Sequence, residues 1–389
     1  MKRVGLGLLL LAFGIAFLGG THAYIAQRMV KEPGMAEPWR TLALCGIALG
    51  ALSLVLQPIG ERWLAPPASR CIAWPASLWM GVAFLILVQL LASDALLWLV
   101  GSVAHAATGS PVELGPTAGV RAAWVAGVAL VAGAFGLRNG LAPPRDKRVE
   151  ITLSRWPAAL DGLRVAQISD IHIGPILGRD FAAQLTRRVN ALQPDLIAVT
   201  GDLVDGNVER LDSEVEPFRA LAAPLGVYFV TGNHDYMSGV HAWAAKAAEL
   251  GMRVLRNERV SIETRGACFD LMGVDDHRGD VFGGLGGEDL DSALDGRDPS
   301  VPAVLLAHDP STFKRAHALG IDLQLSGHTH GGQIFPFQWF VRIAIPFVAG
   351  RYRRGSAELY VSRGTGFWGP PMRLGSPAEI GEIVLRTAR

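Results

Sequence analysis

Two patterns of hydrophobic and polar positions divide the chain. Before residue 142 the apolar residues come in long runs, Val4 to Gly20, Thr41 to Ile59, Leu78 to Val100 and Val120 to Leu137. Each is close to the ~20 residues that cross a ~30 Å hydrocarbon layer, so four membrane helices are expected. A cleaved signal peptide competes for the first run, because Lys2 and Arg3 precede it and Thr21-His22-Ala23 reads as a poor cleavage site. Beyond that point the runs shorten, and each closes on a polar cluster: LRVAQISDIH, PDLIAVTGD, GVYFVTGNHD, CFDLMGVDD, VPAVLLAHD and IDLQLSGHTH. Short aliphatic and β-branched runs between turn signals read as buried strands. Amphipathic segments at Arg179 to Leu192, His241 to Leu250 and Ser311 to Leu319 predict helices between several of them. The expected architecture is an all-α membrane domain over 1–141 and a layered α/β domain over 142–389, joined by the polar hinge Ala142 to Arg148.

Charge follows the same division. The 389 residues carry 36 basic and 35 acidic side chains, and a net charge of +1 excludes both the basic footprint of a nucleic-acid binder and an acidic tail. Only 14 of those charged side chains precede residue 142, which marks two different solvents for the two regions. With the amino terminus inside, Lys2, Arg3, Arg62, Arg70, Arg138, Arg145, Lys147 and Arg148 face the cytoplasm, against Arg28, Lys31, Arg40 and Arg121 outside. That bias places both ends of the chain in the cytoplasm of an inner-membrane protein. Asp94 is the one carboxylate within a predicted span, and a structural role with a neighbouring helix or water as partner is expected. Of the three cysteines, Cys45, Cys71 and Cys268, one lies in the charged region, which excludes a disulfide framework there.

The ends of the predicted strands carry the chemistry. In order they read Asp170-x-His172, Gly201-Asp202-x-x-Asp205, Gly232-Asn233-His234-Asp235, His308 and Gly327-His328-Thr329-His330. Ligands of α/β sheets gather beyond the carboxyl ends of the strands, so these clusters are expected along one rim. Imidazole nitrogen with carboxylate or amide oxygen suits borderline divalent ions such as Mn, Fe and Zn. Alternate residues of an extended strand point the same way, which would let Asp170 and His172 grip one ion, as would His328 and His330. The set is too large for one ion, and two ions sharing a carboxylate would account for the surplus.

The rim resembles the calcineurin-like metallophosphoesterase superfamily, whose signature runs DxH, GDxxD, GNH(D/E), a lone His and GHxH. The likeness covers roughly Leu163 to Ile383. It implies a four-layer αββα sandwich and a metal-dependent phosphoric ester hydrolase. Asp170, His172, Asp202 and His330 are then the expected ligands of one ion. Asp202 bridges to the second, held with Asn233, His308 and His328, and a hydroxide between the ions is the expected nucleophile. His234 is the expected catalytic acid for the leaving oxygen. GHTHGGQ at Gly327 to Gln333, with Ser362 to Gly366 and Met372 to Leu374, is similar to the bacterial membrane-associated branch that includes a UDP-2,3-diacylglucosamine pyrophosphatase. A phosphodiester or pyrophosphate, lipid- or nucleotide-linked, is therefore the expected substrate, with the bilayer itself as the other partner. The reading from another class is a non-enzymatic membrane receptor or scaffold with an idle metal site. Arg363 and Arg373 are further candidates for phosphate contact, Asp275, Asp276 and His277 for overhanging the site, and Ile334 to Phe347 for lining a lipid-accepting groove, touching the bilayer or forming a buried core strand. The glycine-rich stretch Gly283 to Gly287 reads as a flexible loop.

Overall fold

A computed structural model describes residues 2–109, 117–280 and 286–388, with the backbone alone for residues 2–11 and 280. Two compact units emerge, Met1–Leu64 with Ser69–Leu137, and Ala65–Ala68 with Arg138–Arg389.

The first unit is helical: α1 (Lys2–Ala26), α2 (Trp39–Trp63), α3 (Arg70–Thr108) and α4 (Ala118–Leu141). Among the described residues three helices, α2, α3 and α4, are long and apolar enough to cross a membrane. The first predicted span falls in α1, where the side chains of residues 2–11 lie outside the described set. At 39 residues α3 is about 58 Å long, well beyond the predicted Leu78 to Val100. The helix continues because alanines sustain it past the apolar run, and it stops at Gly109, whose φ of 72° closes it. Asp94 accepts hydrogen bonds from the Tyr24 hydroxyl, from Arg28 at 2.7 Å and from Arg121 at 2.6 Å. Glu32 accepts from the same two arginines at 2.9 and 3.2 Å. Two cations and two anions thus alternate in a closed ring that ties the end of α1 to α3 and α4. Arg28 and Arg121, counted above on the outer side, are held in this ring because an unpaired charge among apolar helices is costly.

The second unit begins β1 (Arg145–Leu153), β2 (Leu163–Ile168), α5 (Arg179–Ala191), β3 (Leu196–Thr200), α6 (Val208–Val215), β4 (Val227–Val230), α7 (Asn233–Met237), α8 (Val240–Glu249) and β5 (Arg253–Val254). It continues β6 (Glu258–Thr264), β7 (Ala267–Gly273), α9 (Leu290–Leu294), β8 (Ala303–Leu306), α10 (Phe313–Ala316), β9 (Leu323–Ser326), α11 (Phe337–Ala344), β10 (Gly350–Arg354), β11 (Ala357–Val361) and β12 (Glu379–Thr387). One mixed sheet has the order β1-β12-β2-β3-β4-β5, the other β10-β11-β9-β8-β7-β6. Successive strand residues alternate between two buried faces, which is why the runs read as continuously apolar. Val165, Ala198 and Val230 face Leu271, Leu306 and Leu325 between the sheets. Ile168, Val199 and Phe229 point the other way, against Leu185 and Val189 of α5, Leu211 of α6 and Trp243 of α8. Met272 and Leu305 cover the opposite outer face with Leu290, Ala293 and Ala316. The result is the expected α/β sandwich of four layers, αββα.

The predicted amphipathic segments appear as α5, α8 and α10. The last is shortened to Phe313–Ala316 between 3-10 turns at Pro310–Thr312 and His317–Leu319. Ile334 to Phe347 does not form a core strand. Most of it is α11, which has no buried residue. Of the glycine-rich stretch, residues 283–285 lie outside the described set.

Candidate metal centre

Strands β2, β3 and β4 run parallel in one sheet and β7, β8, β9 and β11 in the other. The chain leaves β2, β3, β4, β8 and β9 directly into the five polar clusters. The local geometry there differs from the extended backbone expected for Asp170, His172, His328 and His330. Asp170, His172, Asp202, His328 and His330 all have φ between 51° and 74°, in the left-handed region. Aspartate and histidine tolerate this region better than most residues, at a cost of about 1–3 kcal/mol each. Cross-chain hydrogen bonds hold them there. The Asp170 amide donates to Gly201 O at 3.0 Å, the His172 amide to Asp202 O at 3.1 Å and the His328 amide to the Asp170 carboxylate at 2.9 Å. Two glycines allow the close approach: a Cβ on Gly232 would overlap the Asp202 carboxylate, and one on Gly327 would overlap Ser169 and Asp170. Pairs of ligands therefore meet by coiling of tight turns, not by strand alternation.

The turns bring donor atoms into adjoining groups. Asp170, His172 and His330 present one ligand atom each within 4.8 Å of one another, and so do Asp202, His308 and His328. Asp202 lies between the groups, its Oδ2 at 3.2 Å from His308 Nε2 and 3.8 Å from His172 Nε2. Its other oxygen accepts the His234 amide at 2.8 Å, which fixes the carboxylate in that bridging pose. The imidazoles are aimed from behind. His308 Nδ1 donates to Thr200 O at 2.8 Å and His172 Nδ1 to Asp205 at 2.9 Å, so each turns its Nε2 inward. There His172 Nε2 faces His330 Nε2 at 3.1 Å, and His308 Nε2 faces His328 Nδ1 at 3.2 Å. Ring nitrogens this close share either a proton or a cation between them.

Electrostatics tells the same story. Burial pulls His308 down, but the Asp202 carboxylate, helped by Asp170 and Asp276, outweighs it and holds the imidazole well above its usual pKa. His328 is pushed down to about 3 by burial and by the charge of His308. Asn233 supplies the sharpest test of fit. It is buried on the rim, and its side-chain Oδ1 has no hydrogen-bond partner. Gln89, Gln167, Asn207 and Gln324 also carry a buried amide oxygen without a donor, but that of Asn233 lies on the rim with the other candidate donors, where a cation would satisfy it. The seven nitrogen and oxygen donors fit two divalent ions.

His234 stands at the edge of this group. Burial opposes its charge, but the hydrogen bond to Asp205 at 2.7 Å and the nearby Asp202 raise it to about 9. Asp205 Oδ1 thus holds both His234 and His172, and these two imidazoles keep its carboxyl well below the usual range despite burial. Asp235 orders the turns, accepting the amides of Asp202, Leu203 and Gly232. Arg363 pairs with Glu379 at 3.2 Å. Arg373 is buried and spends its donors on the carbonyls of Gly366, Arg363 and Ser376, so its guanidinium is not free to take a phosphate. Asp275 is engaged by Arg256 and Thr231. Asp276 is buried with Oδ2 unpartnered, and burial raises its pKa. Asp309 went unnoticed in the sequence, yet its carboxylate lies 3.7 Å from both His328 and His277. Its position next to His308 was the available signal.

Residues 163–332 match the calcineurin-like phosphoesterase family. A "transmembrane protein with metallophosphoesterase domain" from Bos taurus is 42% identical over 67% of this chain and 61% of its own. Its counterpart from Danio rerio is 39% identical over 67% and 62%. An "uncharacterized metallophosphoesterase" of Aquifex aeolicus is 35% identical over 62% of this chain and 92% of its own length. The chain belongs to the calcineurin-like phosphoesterase family. It spans about three fifths of the length of its bovine and zebrafish relatives.

Proposed function

We propose that the chain is a membrane-anchored phosphoester hydrolase that works with two divalent ions on a phosphodiester or pyrophosphate. Asp170, His172, Asp202 and His330 hold one ion, and Asn233, His308 and His328 hold the second with Asp202 shared. The carrying observation is the pair of donor groups joined at Asp202 with the partnerless Asn233 oxygen beside them. Bound ions supply Lewis acidity, which neutralises phosphate charge and makes water a nucleophile near neutral pH. His234, steadied at Nδ1 by Asp205, holds a proton at Nε2 for the departing oxygen. Asp205 keeps His172 and His234 in one fixed relation, and the buried Arg373 supports the turn of His330 from behind. Replacing Asp202 by Ala lowers metal-dependent hydrolysis of bis(p-nitrophenyl) phosphate on the order of a thousandfold in this reading, and turnover near that of the unmodified chain overturns it. The intact donor set speaks against an idle receptor.

The finer reading places the phosphate on a lipid or a nucleotide, because a bilayer anchor raises encounters with substrates already in that bilayer. A screen of lipid extracts and nucleotide esters, with UDP-2,3-diacylglucosamine among them and products read by mass, decides between these. Manganese, iron and zinc all suit the donors, and metal analysis of protein purified without chelator separates them. The catalytic domain is placed on the cytoplasmic face of the inner membrane. A reporter fused after Arg389 that is active only in the periplasm overturns that placement.

A further inference from the structure

The metal motif runs straight into the most apolar exposed surface of the second unit. Three residues after His330 the chain passes Gln333, and three more lead into α11. On α11 Phe337, Trp339, Phe340 and Ile343 are exposed, Ile343 at 85%, and none of the helix's eight residues is buried. Phe335 stacks edge-on against Trp339 with ring centres 5.2 Å apart, so the aromatic surface continues off the helix. Exposed apolar surface gathered in this way marks a surface made for something outside the fold.

Charge says what covers it. Between Asp322 and Glu358 the chain has no acidic residue, while Arg342, Arg351, Arg353 and Arg354 all lie exposed there, Arg351 and Arg353 pairing with Glu358 at 3.3 and 3.7 Å. Arg342, on α11 itself, has no ion partner among the described residues. Trp and Phe with flanking arginine on a short amphipathic helix is the composition of an element lying in the headgroup layer of an anionic bilayer. This chain carries three helices able to cross a membrane, so a bilayer is within its reach at all times. The surface is also wired to the site. Gln333 donates to the carbonyls of Trp368 and Pro370 at 2.8 and 3.0 Å, and the exposed Trp368 ring lies 5.8 Å from His234, edge to face.

We propose that α11, with Phe335 and Trp368, is a membrane-docking surface that settles into the headgroups of an anionic bilayer and presents the site to phosphoesters of that bilayer's own lipids. The substrate half of this inference rests on the hydrolase reading above, and the docking half does not.

The test uses the full chain in vesicles of phosphatidylcholine with and without phosphatidylglycerol. With p-benzoylphenylalanine replacing Ile343, irradiation is expected to give a lipid adduct, more with phosphatidylglycerol present. A cross-link to a second copy or to a helix of the same chain, or no adduct, overturns docking. The combined variant Trp339→Gln, Phe340→Gln, Ile343→Gln is then assayed on two substrates. Turnover of soluble bis(p-nitrophenyl) phosphate is expected to stay at the level of the unmodified chain, and headgroup hydrolysis of vesicle lipid to fall about tenfold. Equal rates on both substrates, or a parallel loss on both, overturns the substrate half. Absence of soluble-ester turnover in the unmodified chain defeats the hydrolase reading instead, and a lipid adduct still upholds docking.

Discussion

The ring in the helical unit and the rim of the sandwich both gather charged side chains, yet they are built on opposite terms. Around Asp94 and Glu32 every charge has an opposite partner, the two arginines equal the two carboxylates, and nothing is left over. Around Asp202, imidazole nitrogens face each other, Asn233 keeps an unpartnered oxygen and Asp276 another. A closed cluster satisfies itself and holds helices together. An open one is completed only by what binds it, which is a physical way to tell a structural cluster from a working site.

The comparison breaks most sharply at the bridging carboxylate. Asp202→Ala is expected to lower kcat/KM for a soluble phosphodiester on the order of a thousandfold and to reduce bound metal, as read by elemental analysis, with the circular dichroism unchanged. His234→Ala should cost roughly a hundredfold with full metal content, and less for a substrate with a good leaving group such as p-nitrophenolate. Asp205→Asn, which loosens both His172 and His234, should cost about ten- to a hundredfold. It should also move the NMR titration of His234 in chelated protein down from about 9. The sign is fixed because Asp205 favours the charged imidazole, so the loss narrows the pH range over which His234 keeps its proton. In the ring, Arg121→Ala leaves Asp94 short of a cation and should destabilise the helical unit by about 2 kcal/mol, read by thermal unfolding in detergent. Soluble-ester turnover should not change. Pairing it with Asp94→Asn should recover part of the loss, because the charges are then balanced again.

Much of the sandwich was legible because its signals are local. Runs such as LRVAQI and LIAVT are buried on both faces and read as strands, and Leu185 and Val189 repeat at helical spacing in α5. The candidate ligands were legible as residue types after strands, although their backbone was not. Whether Asp170 and His172 sit in an extended or a left-handed path depends on the hydrogen bonds their amides donate to Gly201 and Asp202, some thirty residues away. Arg373 read as a phosphate contact because guanidinium chemistry suggests one, and its burial under carbonyls of Arg363 to Ser376 is purely tertiary. The Phe335 to Ile343 segment was ambiguous for a related reason. Its apolar content fits either a core strand or an exposed helix, and only the surrounding packing decides.

Setting its binding groups in left-handed turns limits which descendants this rim can have. Those positions accept glycine or asparagine with the chain path intact, but a valine or isoleucine would force the loop open. Lineages that abandon the chemistry can therefore keep the silhouette, and a silent copy would look from its backbone alone much like a working one.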